Sequence, residues 1–232
     1  MANTINLGNG DWATKEDLLL GYNNENAAYK PLPFDFTRAS SGTVVNRQGL
    51  IETVALGLPR IDFQDNTNGS LLLEPQSTNL LPYSEDFSQW NTSGTTTLTY
   101  NYGISPDGKQ NSTRVQGAAN TIIFQLLNSP YTGARSMYVK ATSGSGDIQL
   151  LSHNSNTDNV FQINTTWQRV EVSNVAAFQQ NFYAVDMRGA STDIFDIEIW
   201  ACQYEQQSYA TSYIPTEGTT VTRVQDLCNN GG

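Results

Sequence analysis

The chain has 232 residues, of which 38% are hydrophobic and 15% charged, so it can bury one large core or two modest ones. Its 12 Lys and Arg residues against 22 Asp and Glu residues give a net charge of 12 − 22 = −10, which argues against nucleic acid and anionic membranes as partners. One histidine and two cysteines are too few for a metal site built from these ligands.

The N-terminus lacks a basic region followed by an apolar stretch, and no window holds the ~20 apolar residues that span a bilayer. We therefore expect a soluble protein that is made in the cytosol. In that compartment Cys202 and Cys228 are expected to be thiols, with a disulfide between them as the alternative.

The first thirty residues contain one pattern that is typical of a short helix, Thr14-Lys-Glu-Asp-Leu-Leu-Leu. Thr14 can cap the N-terminus of such a helix, and Asp17 three positions later can complete a capping box. We therefore predict one short helix here.

Between Pro31 and about Pro82 the sequence breaks into short extended pieces separated by turn formers, which predicts hairpins. Isolated hairpins are marginally stable in water, so residues 1–78 are expected to dock on surfaces outside their own subunit. The apolar and aromatic side chains expected to anchor this docking region are Trp12, Leu18, Leu19, Leu20, Tyr22, Tyr29 and Phe34.

From Asn79 onward the candidate strands are longer and regularly spaced, with Gly, Asn, Ser and Asp turns between them. We predict strands at 96–103, 112–117, 121–127, 135–141, 147–153, 159–164, 167–173, 181–187 and 194–204. No long segment has the 3.6-residue period of a helix, so the pattern favours an antiparallel two-sheet sandwich. The chain is thus divided into a docking region at 1–78, a sandwich domain at 79–217 and a polar tail at 218–232.

Two sets of motifs carry a resemblance to known families. The first contains Asn79-Leu-Leu-Pro-Tyr-Ser-Glu-Asp-Phe-Ser-Gln-Trp, Arg135-Ser-Met-Tyr-Val-Lys-Ala and Thr166-Trp-Gln-Arg-Val, and it resembles jelly-roll carbohydrate-binding modules. The second contains Phe34-Asp-Phe-Thr-Arg-Ala-Ser, Pro59-Arg-Ile-Asp-Phe, Leu71-Leu-Leu-Glu-Pro-Gln-Ser-Thr-Asn-Leu and Ser208-Tyr-Ala-Thr-Ser-Tyr-Ile-Pro-Thr-Glu-Gly. The motifs of this second set together resemble bacteriophage virion proteins of the head-fibre, tail-fibre or capsid-decoration type in crAss-like and related phages. The resemblance covers about residues 12–224.

The resemblance implies an all-β jelly-roll fold, assembly into virions in the host cytoplasm, and often a homotrimer. On this interpretation the chain is a structural virion component that docks on other virion proteins and projects its jelly roll outward. The alternative is an adhesin for host attachment, in which the jelly roll binds a bacterial surface polysaccharide.

Catalysis is not expected. A glycosidase needs two carboxyl groups, one of them protonated, and Asp196 and Glu198 share one strand face at suitable spacing. On an acidic protein such a pair is more often solvated surface. His153 lies in a polar, loop-like stretch without the sharp turn that presents a nucleophilic serine.

No cofactor is expected, and calcium is the cation that an acidic jelly roll would most readily bind. Two turns supply carboxylate and amide oxygens, one with Asp62, Asp65, Asn66 and Asn68 and the other with Asn154, Asn156 and Asp158. Asp and Asn are also ordinary turn formers, which is the simpler explanation.

Exposed aromatic rings decide whether a jelly roll can bind sugar, because a pyranose stacks on a ring face. Trp90 and Trp167 match positions that belong to the core in the resembling modules, so they are expected to be buried. The candidates for glycan binding are Tyr100, Tyr102, Tyr131, Phe178 and Tyr183, although a trimer interface would use the same side chains.

Overall fold

The computed structural model of the chain describes residues 3–5, 12–15, 18–23, 27–32, 35–127, 132–151, 159–175, 182–189 and 192–229. The chain folds into two compact units. Unit 1 comprises residues 1–77, 211–214 and 222–232, and unit 2 comprises residues 78–210 and 215–221. This division differs from the predicted one, because residues 222–232 of the predicted tail belong to unit 1 and residues 218–221 to unit 2.

The described part of the chain is nearly all β. Its strands are β1 (Asn3–Ile5), β2 (Trp12–Lys15), β3 (Leu18–Asn23), β4 (Ala28–Pro31), β5 (Asp35–Thr37), β6 (Gly42–Val45), β7 (Ile51–Val54), β8 (Ile61–Asp62), β9 (Ser70–Leu73), β10 (Ser77–Asn79), β11 (Asn91–Ser93), β12 (Thr97–Thr99), β13 (Thr113–Gln116), β14 (Ile122–Leu126), β15 (Gly133–Ala141), β16 (Gly146–Leu151), β17 (Val160–Ile163), β18 (Gln168–Val175), β19 (Phe182–Asp186), β20 (Asp196–Glu205), β21 (Val221–Arg223) and β22 (Leu227–Asn229). A one-turn 3₁₀ helix spans Phe87–Gln89. Within the described residues, no helix is long and apolar enough to span a membrane.

Unit 1 is built from small antiparallel sheets. Strands pair in the orders β1-β9-β8 and β2-β3-β4, and as the two-stranded pairs β5-β22 and β6-β7. Strands β10 and β21 pair with each other. The predicted hairpins are therefore present.

The predicted helix at Thr14–Leu20 is wrong. Thr14 pairs with Leu19 in the ladder between β2 and β3, and β3 pairs on its other side with β4. A capping pattern stabilises a helix by only about 1 kcal/mol, so strand pairing on both edges of β3 outweighs it.

Unit 1 also contains a feature that the hairpin pattern did not predict, a buried ion cluster formed by Arg38, Arg60, Glu74, Arg223 and Asp226. The five side chains have relative exposures of 0–2% in their ion pairs. Asp226 Oδ1 lies 3.1 Å from Arg38 Nη1, its Oδ2 contacts Arg60 Nη2, and the same Oδ2 lies 3.6 Å from Arg223 Nη1. One carboxylate therefore forms ion pairs with three arginines that are widely separated in sequence.

Glu74 completes the ion cluster from the opposite side. Its Oε2 lies 2.8 Å from Arg60 Nη1 and 3.2 Å from Arg223 Nη1. The carboxylate also accepts hydrogen bonds from the backbone N–H and the hydroxyl of Ser212, at 2.7 and 2.6 Å. Buried charges need such partners, since an uncompensated one costs several kcal/mol.

The ion cluster should make the stability of the protein depend on acid pH. Burial alone raises the pKa of the Glu74 carboxyl, but the charges of Arg223 and Arg60 and the hydrogen bonds from Ser212 together lower it below its ordinary value. A depressed pKa contributes stability that is complete above the unfolded value of about 4.3 and is lost as pH falls through the folded value. Urea midpoints measured from pH 6 to pH 3 should therefore fall more steeply for the wild type than for Glu74→Gln, and equal slopes would contradict this.

Unit 2 is an antiparallel jelly-roll β-sandwich, as predicted. One five-stranded sheet has the order β12-β13-β20-β15-β18, and the other has the order β11-β14-β19-β16-β17. Each of the nine strands predicted after residue 95 overlaps an observed strand. Strand β11 was missed because its three residues are polar and carry no alternation.

The core of unit 2 lies between the two sheets. Ile197, Ile199, Val139, Val170 and Trp90 are all buried in it, as expected for Trp90. Trp167 is not, and that prediction is wrong. Its indole N–H donates to the Ile104 carbonyl at 2.9 Å, and Lys140 Nζ lies 5.0 Å from its ring centre. Trp167 precedes β18 and so does not share the inward positions of that strand.

A bulge in β20 keeps apolar side chains directed to the core. Ile197 and Ile199 point inward, so strict alternation would place Ala201 next and Cys202 outside. Between the pairs Tyr138↔Trp200 and Ser136↔Gln203 the register slips by one residue, and Ala201 adopts φ 54°. The extra residue brings Cys202 into the core.

Both cysteines are free thiols, as expected. Burial raises the pKa of the Cys202 thiol, so this group stays protonated and unreactive near neutral pH.

Candidate functional site

Unit 2 carries an open cleft of about 660 Å³. It is lined by three stretches of chain, 85–87, 100–101 and 215–217, together with Asn111, Thr113 and Val221. These stretches come from the 3₁₀ helix, the loop after β12 and the returning C-terminal segment. Pairing of Tyr83 with Glu217 brings the first and third together, although they are far apart in sequence.

One exposed and one buried aromatic residue line this cleft. Tyr100 is 47% exposed. Phe87 is fully buried and packs against Trp90 with their ring centres 5.0 Å apart. Phe87 is therefore a rigid base, and Tyr100 is the aromatic lining residue available for stacking against a ligand.

Acceptor oxygens line the rest of the cleft. One oxygen of Asp86 caps the 3₁₀ helix, accepting from the backbone N–H of Ser88 at 3.0 Å and from its hydroxyl at 2.5 Å. Within the described chain, the other Asp86 oxygen and the Glu217 carboxylate accept no hydrogen bond. Thr216 is 7% exposed, and its hydroxyl has no partner among the described residues.

The loop at 100–112 is fixed by a buried carboxylate from β20. Glu198 Oε2 accepts from the Ser112 hydroxyl at 2.7 Å, and that hydroxyl accepts from the Gly103 N–H at 2.9 Å. A Cβ at Gly103 would come within 2.3 Å of Glu198 Oε2, so a larger residue here would require the Glu198 carboxylate to move. Tyr102 N–H donates to the Ser112 carbonyl at 2.8 Å, which completes the link.

The tip of the same loop is a tight polar turn. Ser105 donates to Asp107 Oδ1 at 2.5 Å, and the Lys109 N–H donates to the same oxygen at 3.0 Å. Burial raises the pKa of the Asp107 carboxyl. The hydrogen bonds lower this pKa by a larger amount, so the net shift is downward. The Asn111 amide links the turn to the cleft by donating to Glu85 Oε2 at 3.3 Å.

The expectation that Asp196 and Glu198 are both solvated is wrong for Glu198, which is 5% exposed and lies 3.0 Å from Lys140 Nζ. Asp196 is half-buried and receives two bonds from Arg114, at 2.8 and 2.6 Å. These bonds hold the pKa of the Asp196 carboxyl below its ordinary value. A general acid needs the opposite shift, so Asp196 is unsuited to protonating a leaving group.

The predicted glycan-binding residues do not lie together in the fold. Tyr100 lines the cleft, whereas Tyr102 lies in the same loop but packs against Arg114, 4.9 Å from its ring centre. Tyr183 is 1% exposed and its hydroxyl donates to the Ser136 carbonyl at 2.6 Å, so its prediction as a surface stacking residue is wrong. The alternation of side chains along β19 directs Tyr183 into the core between the sheets. Tyr131 and Phe178 lie outside the described residues.

The predicted docking residues vary in exposure. Leu19 is buried, Leu20 and Tyr22 are half-buried, and Tyr29 is exposed and meets Tyr22 edge to face at 5.2 Å. Trp12 and Leu18 lie on β2 and β3, and Phe34 lies outside the described residues. Docking itself stays a prediction.

Among the described residues, no group of three or more His, Cys, Asp or Glu side chains is placed to hold a metal ion. In the turn at residues 62–68, Asp62 accepts from the backbone N–H groups of Val45 and Gln64, and Asn66 accepts from that of Asn68. These oxygens stabilise the turn itself. Asn154, Asn156 and Asp158 lie outside the described residues.

Sequence reasoning missed Glu85, Asp86 and Glu217 as cleft residues. Glu85 and Asp86 stand in a motif that was interpreted only as the start of the jelly roll. Glu217 was placed at the end of the sandwich domain. Nothing local in the sequence shows that these two positions meet.

No family model matches the chain, and no curated protein matches it. Among solved structures, the chain is similar to the family 11 carbohydrate-binding module from Clostridium thermocellum in complex with a β-1,3-1,4-mixed-linked tetrasaccharide, at 15% identity over 65% of this chain and 95% of that one, with a TM-score of 0.28. It is also similar to the CBM22-1-GH10 modules of endo-1,4-β-D-xylanase 10B from Clostridium thermocellum complexed with xylohexaose, at 11% identity over 67% and 28%, with a TM-score of 0.23.

A third similar structure concerns the promiscuous specificity of carbohydrate-binding modules from the β-sandwich superfamily. The identity is 12% over 78% of this chain and 76% of that one, with a TM-score of 0.23. The three TM-scores are far below 0.5, so these similarities by themselves say nothing about what this chain binds.

Proposed function

We propose that unit 2 binds a glycan in the cleft at Tyr100 and does not hydrolyse it. The observation that carries this proposal is the exposed Tyr100 ring beside open carboxylate oxygens of Asp86 and Glu217. An aromatic face packs against the apolar face of a pyranose, while the sugar hydroxyls donate to planar polar groups around it. The volume of about 660 Å³ lies within the range of small-ligand sites.

The absence of hydrolysis is supported by the state of the carboxylates on β20. Glu198 positions the loop that carries Tyr100, and Asp196 is held ionised by Arg114. Both groups are therefore engaged in structural contacts. Reducing ends should not accumulate when the protein is incubated with a polysaccharide that it binds, and their sustained release would contradict this part of the proposal.

We further propose that the chain belongs to a phage particle, as a head-fibre, tail-fibre or decoration protein, and serves in host attachment. The support is the set of motifs spread over both units, together with exposed apolar side chains on unit 1, namely Tyr29, Leu50 and Leu56. A homotrimer is part of this proposal. An antibody against the chain should label particles purified by density gradient from cultures that produce it, and signal confined to the soluble fraction would contradict it.

Tyr100→Ala should weaken glycan binding by at least about tenfold, which corresponds to roughly 1.4 kcal/mol of lost ring contact. Titration calorimetry with the tightest ligand from a glycan array measures this. Tyr102→Ala is a matched control, because Tyr102 lies two residues away with similar exposure but packs against Arg114 instead of lining the cleft. Equal losses in the two variants would show that Tyr100 has no special role.

A further inference from the structure

We infer that the cleft selects glycans by charge: it binds neutral sugars, binds amine-bearing sugars more tightly, and rejects sugars that carry uronate, sialate, sulfate or phosphate groups. This inference rests on the proposed glycan binding and specifies its ligand class. It follows from the charges of the lining, the hydrogen-bonding capacity of those groups, and the fate of the neighbouring cations.

The described lining of the cleft contains three carboxylates and no basic side chain. Glu85, Asp86 and Glu217 are the three acids, from two separate stretches of chain. The cleft is more than a set of acids, because it also holds the exposed Tyr100 ring and the buried Thr216 hydroxyl that has no partner among the described residues.

The basic side chains of the neighbouring strands and loop are already neutralised. Arg114 Nη2 lies 2.6 Å from Asp196, Lys140 Nζ lies 3.0 Å from Glu198, and Lys109 Nζ lies 3.2 Å from Asp107. An anionic ligand would therefore meet a lining of net negative charge, on a chain whose net charge is already −10.

The hydrogen-bonding capacity of the lining points the same way. An ionised carboxylate only accepts hydrogen bonds, so the open oxygens of Asp86 and Glu217 need donors from the ligand. Sugar hydroxyls and ammonium groups donate. Uronate, sulfate and phosphate oxygens only accept, and they would leave these oxygens without partners as well as repelling them.

The expected selectivity is measurable. Two unit charges about 6 Å apart in water interact by about RT, which is roughly threefold in affinity for each carboxylate and about thirtyfold for three. Salt weakens this effect, since the Debye length falls to about 8 Å at physiological ionic strength.

The test compares β-1,4-linked tetrasaccharides of glucose, glucosamine and glucuronate, and the same three charge classes on any other backbone that a glycan array identifies. Calorimetry in 20 mM and in 300 mM NaCl should give the order amine, neutral, acidic, with about thirtyfold between one class and the next at low salt and smaller differences at high salt. Acidic sugars binding as tightly as their neutral counterparts would overturn the inference alone. If no glycan binds, the proposed function fails and the inference fails with it.

A pair of double variants separates the cleft from the overall charge of the protein. Asp86→Asn with Glu217→Gln removes two charges in the cleft, and Glu52→Gln with Asp65→Asn removes two exposed charges from unit 1. The first variant should reduce the preference for amine-bearing over neutral sugars by about tenfold, and the second should leave it unchanged. Full selectivity in the first variant, or an equal reduction in both, would overturn the inference.

Discussion

Asp226→Asn is expected to lower the free energy of unfolding by about 3–5 kcal/mol, the usual cost of removing one partner from a buried ion pair. Asp226 contacts the guanidinium groups of Arg38, Arg60 and Arg223 and also accepts the backbone N–H of Glu74 at 2.9 Å. Asparagine has nearly the same shape but no charge. In the variant, Glu74 would be the one carboxylate left in the cluster to balance three buried cations.

Urea unfolding followed by circular dichroism measures this loss. Asp65→Asn is a suitable control, because Asp65 is an exposed acid of the same unit outside the ion cluster. The control should unfold like the wild type. If Asp226→Asn does so too, then Asp226 does not hold the cluster together.

Trp90→Ala should cost about 3–5 kcal/mol by removing a large side chain from the core of the jelly roll. The indole packs against Phe87 at 5.0 Å and edge to face against Tyr183 at 5.6 Å, and its N–H donates to the Tyr83 carbonyl at 3.0 Å. The truncation would therefore leave a cavity and remove one of the two hydrogen bonds to the Tyr83 carbonyl, the other coming from Gln125 Nε2 at 2.6 Å. It would also loosen Phe87, the floor of the cleft.

Trp167→Ala provides the comparison within the same unit. Trp167 is half-buried on the outer side of its sheet, held by a hydrogen bond to Ile104 and by Lys140. Losing these contacts should cost about 1–2 kcal/mol. A cost for Trp167→Ala as large as for Trp90→Ala would mean that both rings belong to the core.

The jelly roll was predictable from sequence because period-two alternation and turn residues are local signals. Ile197 and Ile199 fell on the buried side of β20 for this reason. The same rule did not anticipate Cys202, because a single bulge at Ala201 reverses the parity of the strand. Bulges depend on register with a partner strand, and one strand's own pattern does not contain that information.

The ion cluster and the cleft were not predictable for a related reason. Asp226 accepts a hydrogen bond from Arg38, which lies 188 positions earlier in the sequence. Glu217 pairs with Tyr83 in an isolated antiparallel bridge. At Thr14 a local capping pattern favoured a helix, but pairing with Leu19 decided the outcome. Tertiary pairing placed these residues, whereas sequence patterns describe neighbours along the chain.

Glycan binding in the cleft at Tyr100 can be tested directly. The most direct measurement is a two-dimensional NMR titration of the isotopically labelled full chain with the tightest ligand from a glycan array. We predict that the largest amide shifts occur at residues 85–87, 100–101 and 215–217, the stretches that line the cleft. Shifts centred on the opposite sheet, around Phe124 and Phe182, or the absence of any glycan ligand would contradict it.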